Sequence, residues 1–293
     1  LIAGDLYDGH QTSMKTARFL ADEVGRLHEA GIRTFIIRGN HDALSKITKQ
    51  LILPDSVHCF GSKAGCVAME KEAYGFAVNI HGLSFKEEKA PESLLPSYRM
   101  PIPDSVNIGL MHTSLDGSPH HDNYAACKLV ALHASGFTYW ALGHIHARSA
   151  YAGSCMVVMP GMTQGRDVNE AGPKSVSLVT IADDQTIDIE ERHISAAEFA
   201  TVPIDMMGVG TWEEAIGIIE KGLGQAQLQA TSDVLIARLC IEGQTPMAAR
   251  LRWDVELLRA EADRLADQGG RVFIEKLEVR AQEPKQDAQK DGN

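Results

Sequence analysis

The chain has 293 residues, of which 44% are hydrophobic and 23% charged, and its formal net charge is −11. No apolar run approaches the roughly 18–20 residues that span a bilayer, so we expect a globular protein without membrane contact. The acidic balance argues against a broad basic surface for nucleic acid, and DNA binding would need local patches, bound cations or another subunit. The five scattered cysteines form no CxxC pair and predict reduced thiols in a cytoplasmic protein.

Residues 1–194 are predicted to form alternating strands and helices. Phe19, Leu20, Val24 and Leu27 recur at helical spacing and predict a helix over 12–30. The other predicted elements follow in chain order: a strand end at 1–4, a strand at 34–37, a short helix at 45–53, strands within 57–85, a proline-rich loop at 86–104, a strand at 106–112, a helix at 129–136, a strand at 137–144, and mainly antiparallel strands from 149 to 194.

The pattern changes near residue 195, where a β-α-β-α-β order predicts a small α/β domain ending at 280. Its second helix is predicted over 247–268, with one apolar face made by Leu251, Val255, Leu258, Ala262 and Leu265. Residues 281–293 contain no apolar residue except alanine and predict a disordered tail. The expected domains are therefore 1–194 and 195–280, followed by that tail.

Four polar motifs each follow an apolar run: GDLYD (4–8), GNHD (39–42), LMH (110–112) and GHIH (143–146). The carboxyl ends of adjacent strands lie along one edge of a sheet, so these four tips are expected to converge. Their Asp, Asn and His side chains are donors suited to Mn, Fe or Zn. Each motif alone is also compatible with a strand end, a turn or a core histidine, but the four together indicate a metal site.

This order of motifs resembles the calcineurin-like metallophosphoesterases. The stretches HTSLDGSPHHDNYAACKL, GFTYWALGHIHAR and PGMTQGRDVNEAGPKS resemble the bacterial DNA-repair exonuclease branch, which is similar to the nuclease subunit of double-strand-break repair complexes. The resemblance covers roughly residues 1–280. It implies a four-layer α/β/β/α sandwich with a small C-terminal α/β capping domain beside the active-site edge.

The resemblance also implies ligands for two divalent metal ions: Asp5, Asn40, His112, His144 and His146. Asp5 would bridge the metals, and Asn40, His112 and His144 would complete the second site. His146 would belong to the first site.

The same comparison assigns three further residues near the metals. His41 would be the catalytic histidine, stabilising charge or protonating the leaving oxygen, with Asp42 orienting it. Asp8 would support the ligand loop without binding metal.

One part of the family pattern is absent from this sequence. The family's Asp-x-His motif, which gives two ligands to the first metal, would lie upstream of GDLYD, and this sequence has no such motif before Asp5. The first site would then retain only Asp5 and His146. We therefore expect this sequence to be a truncated view of a larger enzyme.

Three other groups leave two interpretations open. His120, His121 and Asp122 form either a substrate-side cluster or a solvated loop. Arg166 would contact a phosphate or pair with a nearby acid. A set of arginines on the 247–268 helix would touch DNA or a partner, or form a solvated face among acids: Arg250, Arg252, Arg259 and Arg264.

The leading hypothesis is a metal-dependent phosphodiesterase acting on DNA, an exonuclease in DNA repair whose dinuclear site activates water for in-line attack on phosphorus. The resemblance implies Mn as the metal, with Fe or Zn as alternatives, and a coiled-coil ATPase subunit as partner. A homodimer is a further expectation. The alternatives are a phosphatase or phosphodiesterase of small nucleotides or phosphoproteins, and an inactive or truncated interaction module.

Overall fold

A computed structural model describes residues 1–7, 13–43, 51–69, 75–88, 90, 92–115 and 124–284. Several predictions fall outside these residues: Asp8, the cluster His120–Asp122, most of the 45–53 helix and most of the predicted tail. The described residues form two compact units, Leu1–Met162 with Ser177–Glu191, and Thr163–Val176 with the residues from Arg192 onward. The segment 163–176, which precedes the predicted boundary at 194, thus packs with the second unit.

The first unit contains a three-stranded and a six-stranded sheet. Its elements are β1 (Ile2–Ala3), α1 (Met14–Glu29), β2 (Thr34–Ile37), β3 (Val57–Cys59), β4 (Gly65–Met69), β5 (Val78–Gly82), β6 (Val106–His112), α2 (Leu129–His133), β7 (Tyr139–Gly143), β8 (Ser149–Tyr151) and β9 (Met156–Met159). Strands β1, β2 and β3 are parallel neighbours. The larger sheet has the order β4-β5-β6-β7-β9-β8, and only its two edge strands, β4 and β8, pair antiparallel.

The alternation of side chains along β6 shows how these layers pack. Leu110 lies in a core with Ile37 of β2, on the side of the smaller sheet. The next residue, Met111, lies in a second core with Leu132 of α2, on the opposite side. Ala17 of α1 packs in a separate cluster with residues of the β1 loop. Because strand residues alternate between faces, this packing gives the order helix, sheet, sheet, helix, and the predicted α/β fold is confirmed.

Helix α1 begins after Ser13, whose hydroxyl accepts a hydrogen bond from the Lys15 amide over 3.3 Å. Its buried face carries Ala17 and Val24. Phe19, one of the four residues whose spacing predicted the helix, is 66% exposed and lies outside this buried face. The buried face follows the small Ala17, and Phe19, two residues on, points about 200° away around a helix with 3.6 residues per turn.

The second unit is built on a three-stranded parallel sheet. Its elements are β12 (Ala197–Asp205), α3 (Trp212–Gln229), β13 (Val234–Glu242), α4 (Ala248–Trp253), α5 (Val255–Gly269) and β14 (Val272–Val279). A separate two-stranded sheet of β10 (Ser175–Ile181) and β11 (Ile187–His193) falls mostly in the first unit, which includes Ser177–Glu191. One apolar core joins the three-stranded sheet to the three helices. Helix α3 starts with a capping box in which Thr211 and Glu214 satisfy each other's backbone amides.

Two details of this unit differ from the sequence prediction. The 247–268 helix is interrupted at Asp254, where φ is −97° and ψ is 29°, so that α4 and α5 are separate helices. Ala281 is buried in the core and Gln282 forms a bridge with Gln244, so ordered packing continues past residue 280. Among the described helices, none is both long enough and apolar enough to cross a bilayer.

Candidate metal centre

The four predicted motifs occur at the carboxyl ends of strands in the first unit. Asp5 follows β1, and the 39–42 motif follows β2, which pairs parallel with β1. His112 ends β6, and His144 follows β7, the parallel neighbour of β6. Parallel pairing places both ends of each pair at the same edge, which is where this fold class positions ligand sites.

Three of the predicted ligands lie within reach of a single ion. Asp5, His112 and His144 offer ligand atoms that all lie within 4.8 Å of one another. His112 Nε2 lies 3.2 Å from Asp5 Oδ2 and 2.9 Å from Asn40 Oδ1. His144 Nδ1 lies 3.2 Å from the same Asn40 oxygen. The structure thus brings together Asp5, Asn40, His112 and His144.

The tautomer of His112 indicates what these atoms surround. Its Nδ1 lies 2.8 Å from the carbonyl oxygen of Ala3, which can only accept, so Nδ1 carries the hydrogen. In the neutral ring, Nε2 then carries a lone pair, and this lone pair points at two acceptor oxygens, those of Asp5 and Asn40. A cation would satisfy all three atoms, and the set of carboxylate, amide and imidazole donors suits Mn, Fe or Zn. The residues present therefore fit a divalent metal ion.

Two glycines permit this close approach. A Cβ on Gly39 would lie 2.4 Å from Asp5 Oδ1 and 2.6 Å from His112 Nε2. A Cβ on Gly4 would lie 2.5 Å from His112 Nδ1, and the φ of Gly4 is +94°. The glycines in GDLYD and GNHD are thus required because any larger residue would separate the strand ends.

The backbone is strained at two of the ligands. Asp5 has φ 54° and His144 has φ 109°, both in the region that L-residues rarely adopt. Such conformations cost on the order of 1–3 kcal/mol each and occur where surrounding structure enforces them, often at functional sites. The strain therefore agrees with a functional placement of both side chains.

Asp42 joins the first two motifs. Its carboxylate accepts hydrogen bonds from the amides of Leu6, at 3.0 Å, and Gly39, at 2.6 Å. Burial raises the pKa of Asp42, and these two hydrogen bonds offset the effect only in part. Within the described chain this carboxylate thus fixes the two loops, while its orienting contact with the His41 ring remains a prediction.

His41 is exposed at the rim of the site, and its amide donates to Asp5 Oδ1 over 3.0 Å. With no metal bound, burial acts to raise the pKa of Asp5, but the hydrogen bond and charge of the protonated form of His112, with a smaller contribution from His41, outweigh it and lower the pKa. The Asp5 carboxylate is thereby kept ionised, as a metal ligand must be.

Two aromatic residues that no motif predicted pack on the ligands. The ring of Phe85 contacts His112 edge-on, with centroids 5.4 Å apart. Tyr124 packs against His144 with centroids 5.3 Å apart. Both lie in loops without a sequence signal, and they restrict the orientations of the imidazoles.

The remaining predicted residues lie outside this group. His146 is half-buried and does not belong to the only cluster of three or more metal-binding side chains found in the described residues. The Arg166 guanidinium pairs with Glu170, with Nη2 2.7 Å from Oε1, which favours the structural interpretation over a phosphate contact. Its Nε also donates to Glu170.

The arginines of α4 and α5 are also engaged. Arg250 faces Asp254 and the ring of Trp212, and Arg259 pairs with Asp263. Arg264 pairs with Glu261, and Arg252 donates to the carbonyl of Ala281. This pattern corresponds to a solvated face interleaved with acids rather than a continuous basic surface.

Comparison with known proteins gives matches in both parts of the chain. The family Calcineurin-like phosphoesterase matches residues 1–148, and the family Metallophosphoesterase YhaO, middle domain, matches residues 199–282. A Bacillus subtilis protein named uncharacterized metallophosphoesterase YhaO is 32% identical over 251 residues, which are 84% of this chain and 60% of the relative.

Two archaeal relatives share the name DNA double-strand break repair protein Mre11. The Methanocaldococcus jannaschii protein is 25% identical over 75% of this chain and 62% of its own length. The Sulfurisphaera tokodaii protein is 27% identical over 50% of this chain and 38% of its own length. This chain therefore spans less than two thirds of each of these relatives. With half of its residues matched by one family and the ligand geometry in place, the chain belongs to the calcineurin-like phosphoesterases.

Proposed function

We propose that this protein is a metal-dependent phosphodiesterase that acts on DNA as an exonuclease in DNA repair. The observation that carries the proposal is the convergence of potential ligand atoms of Asp5, Asn40, His112 and His144 around one point. Such a set, formed by four strand ends and held by strained backbone, is difficult to explain without a bound cation. A cation held there would supply Lewis acidity and neutralise charge on a phosphoryl group.

The chain's own residues have separate tasks in this proposal. The hydrogen bond that His112 Nδ1 donates to the Ala3 carbonyl fixes the His112 ring with Nε2 turned toward the ligand centre. Asp42 holds the 4–6 and 39–42 loops together, so the two motifs keep their spacing. His41, anchored through its amide and exposed, would give a proton to the leaving oxygen or stabilise its charge.

The relatives support the choice of substrate. Two of them are named for DNA double-strand break repair, at 25% and 27% identity. Under the same proposal, Asp5 bridges to a first metal site that also includes His146, and Mn is the activating ion. A coiled-coil ATPase subunit and a second copy of the chain are the proposed partners. The proposal also includes the expectation that residues 195–280 act as a capping domain.

A phosphatase or phosphodiesterase of small nucleotides or phosphoproteins is the alternative. The net charge of −11 favours it, because duplex DNA is repelled by an acidic surface at low salt. The metal centre would be the same, and only the substrate would differ.

The test combines metal analysis with a substrate comparison. The full chain is stripped with chelator, reloaded with Mn²⁺ and assayed on linear duplex DNA, single-stranded DNA and bis(nitrophenyl) phosphate, with Asp5→Asn as the control. The proposal is supported if the wild type degrades DNA and Asp5→Asn does not. Cleavage of only the small ester supports the alternative, and a chain without bound metal or turnover contradicts both and favours a non-catalytic module.

A further inference from the structure

A cavity of ≈ 330 Å³ lies in the first unit, outside the ligand set. Its walls carry two lysines, several serines and an apolar floor, and the residues that matter here are Ser62, Lys63, Leu83, Lys86, Leu94 and Ser97. We call it the lysine cavity. Its volume lies at the lower end of the range for small-molecule sites, which is about 300–1,000 Å³.

The lysine cavity shares its wall with the candidate metal centre. Ser84, which also lines the cavity, accepts a hydrogen bond from the Arg38 amide over 2.9 Å, one residue before GNHD. The next residue, Phe85, donates its amide to the Arg38 carbonyl and packs its ring on His112. One short segment thus has the cavity on one side and a ligand histidine on the other.

A second wall is fixed in the same way. Leu94 packs against a cluster that contains Phe85 and Ala43, the residue directly after GNHD. Leu94 begins the turn Leu95–Ser97, and the turn is followed by Tyr98, which is buried and bonds the carbonyl of Leu110 through its hydroxyl. The cavity is therefore a built feature of the strand-end edge.

The charge of the lining is opposite to that of the protein. Lys63 and Lys86 are exposed at the cavity, and among the described residues no acidic side chain lines it. In the part of the chain that the structure describes, neither lysine forms an ion pair. Two cations beside serine hydroxyls, on a chain of net charge −11, favour an anion over a neutral or cationic ligand. The floor of Leu83 and Leu94 adds an apolar surface for a less polar part of the same ligand.

We propose that the lysine cavity binds a nucleotide unit of the substrate adjacent to the scissile bond. Lys63 and Lys86 would hold its phosphate, with Ser62 and Ser97 as further donors, and the sugar and base would rest on Leu83 and Leu94. This inference rests on the proposed function, since it assigns the flanking phosphate of a nucleic-acid substrate. It would also explain how an acidic protein holds a polyanion by a local patch.

Direct binding tests the inference without any turnover. Thymidine 5′-monophosphate is titrated into the full chain in EDTA, so that a metal ion contributes nothing. We expect saturable binding that weakens roughly tenfold in Lys63→Gln and in Lys86→Gln and further in the double variant. Lys221→Gln, which removes the same charge from an exposed position on α3, should leave the affinity unchanged.

Inorganic phosphate distinguishes a nucleotide site from a general anion site. It should bind more weakly than the nucleotide because it cannot use the apolar floor. Equal affinities would overturn the nucleotide assignment. Absence of saturable nucleotide binding, or equal affinity in wild type and double variant, would overturn the whole inference, even if the protein cleaves DNA.

Kinetics give the second readout. On single-stranded DNA the double variant should raise KM roughly tenfold or more with little change in kcat. The slope of log affinity against log salt should become shallower by about 0.7 for each lysine lost. Turnover of bis(nitrophenyl) phosphate should be unaffected. A wild type that cleaves no DNA would contradict the proposed function alone, and the nucleotide titration would still decide the inference.

Discussion

Charged and polar groups are arranged in opposite ways at the candidate metal centre and on the surface of β13 and β14. At the metal centre, acceptor atoms of Asp5, Asn40 and His112 point at one another within 2.9–3.2 Å. Along β13 and β14, each charge has an opposite partner, as in the two-point pair of Arg238 with Glu275 at 2.7 and 2.9 Å.

The backbone repeats the contrast. Positive φ values occur at two non-glycine candidate ligands, Asp5 and His144, whereas the described residues of β13 and β14 have none. Acceptor atoms that face one another and would be satisfied by an added cation indicate a binding role. Charged groups that already have partners of opposite sign indicate a structural role. The predictions below test this distinction in order of expected effect.

The largest effect is expected for Asp5→Asn. The amide has the shape of the carboxylate but lacks its charge, so bound metal and metal-dependent turnover should both be lost, the latter by roughly a thousandfold or more. Metal content and phosphodiester hydrolysis measure this directly. The melting temperature without metal should fall only modestly, because the lowered pKa of Asp5 means that its ionised form adds some stability, while the amide of Asn can donate a hydrogen to a neighbouring acceptor.

The thermal measurement separates binding from folding. Added Mn²⁺ should raise the melting temperature of the wild type in proportion to the logarithm of its concentration, and should leave Asp5→Asn unchanged. If the variant instead melts much lower in chelator, Asp5 holds the fold together and the contrast with β13 and β14 would not stand.

His41→Ala is expected to have the next largest effect. His41 is exposed, and its hydrogen bond to Asp5 comes from the backbone amide, which alanine retains, so the variant should keep its metal and its stability while turnover falls by about a hundredfold or more. His28→Ala is the matched control, since His28 is also exposed but contacts Ser56 on the surface. Turnover near the wild-type rate would remove His41 from the reaction.

The strand-end motifs show how far sequence reasoning reached. An apolar run followed by Gly-Asp or Gly-Asn identifies a strand tip, and the parallel arrangement of tips is a general property of such sheets. The grouping of Asp5, Asn40, His112 and His144 was therefore predictable without coordinates.

Other features depend on approaches between distant segments. Phe85, Tyr124 and the two lysines of the cavity lie in runs with no motif, and only the fold brings them to the site edge. The exposure of Phe19 and the helix break at Asp254 were missed because apolar spacing alone does not show which neighbours are available. The orienting contact of Asp42 with the adjacent His41 stays a prediction, and the contacts of its oxygens with the amides of Leu6 and Gly39 had no sequence signal.

The hydroxyl of Tyr139 is a buried polar group that already has partners, so it tests within the first unit whether such a group has a structural role. Burial raises the pKa of Tyr139 to about 12, against smaller opposing effects of Arg148 and Ser177. The unfolded chain releases this proton near pH 10, so the folded state binds more protons between pH 10 and 12. The contribution of Tyr139 is complete below pH 10 and is lost as the pH rises to 12.

Tyr139→Phe removes this dependence. Between pH 9 and pH 11 the free energy of unfolding should fall by about 1 kcal/mol more in the wild type than in the variant, measured by urea unfolding at each pH. Tyr151→Phe, at a more exposed tyrosine of β8, should follow the wild type. Parallel pH profiles for wild type and Tyr139→Phe would mean that the hydroxyl ionises as easily in the folded state as in the unfolded one.

The smallest effect is expected where charges already satisfy each other. In Arg238 and Glu275 the side chains are 25% and 37% exposed, so solvent screens the pair despite its two-point geometry. Arg238→Gln, Glu275→Gln and the double variant should each change the melting temperature by less than about 2 °C, with no change in metal content. The cycle of single and double variants isolates the coupling between the two residues. A large coupling energy would show that the pair of Arg238 and Glu275 stabilises the fold more than an exposed ion pair does. A change in turnover would show that the surface of β13 and β14 is functional and would remove the contrast with the metal centre.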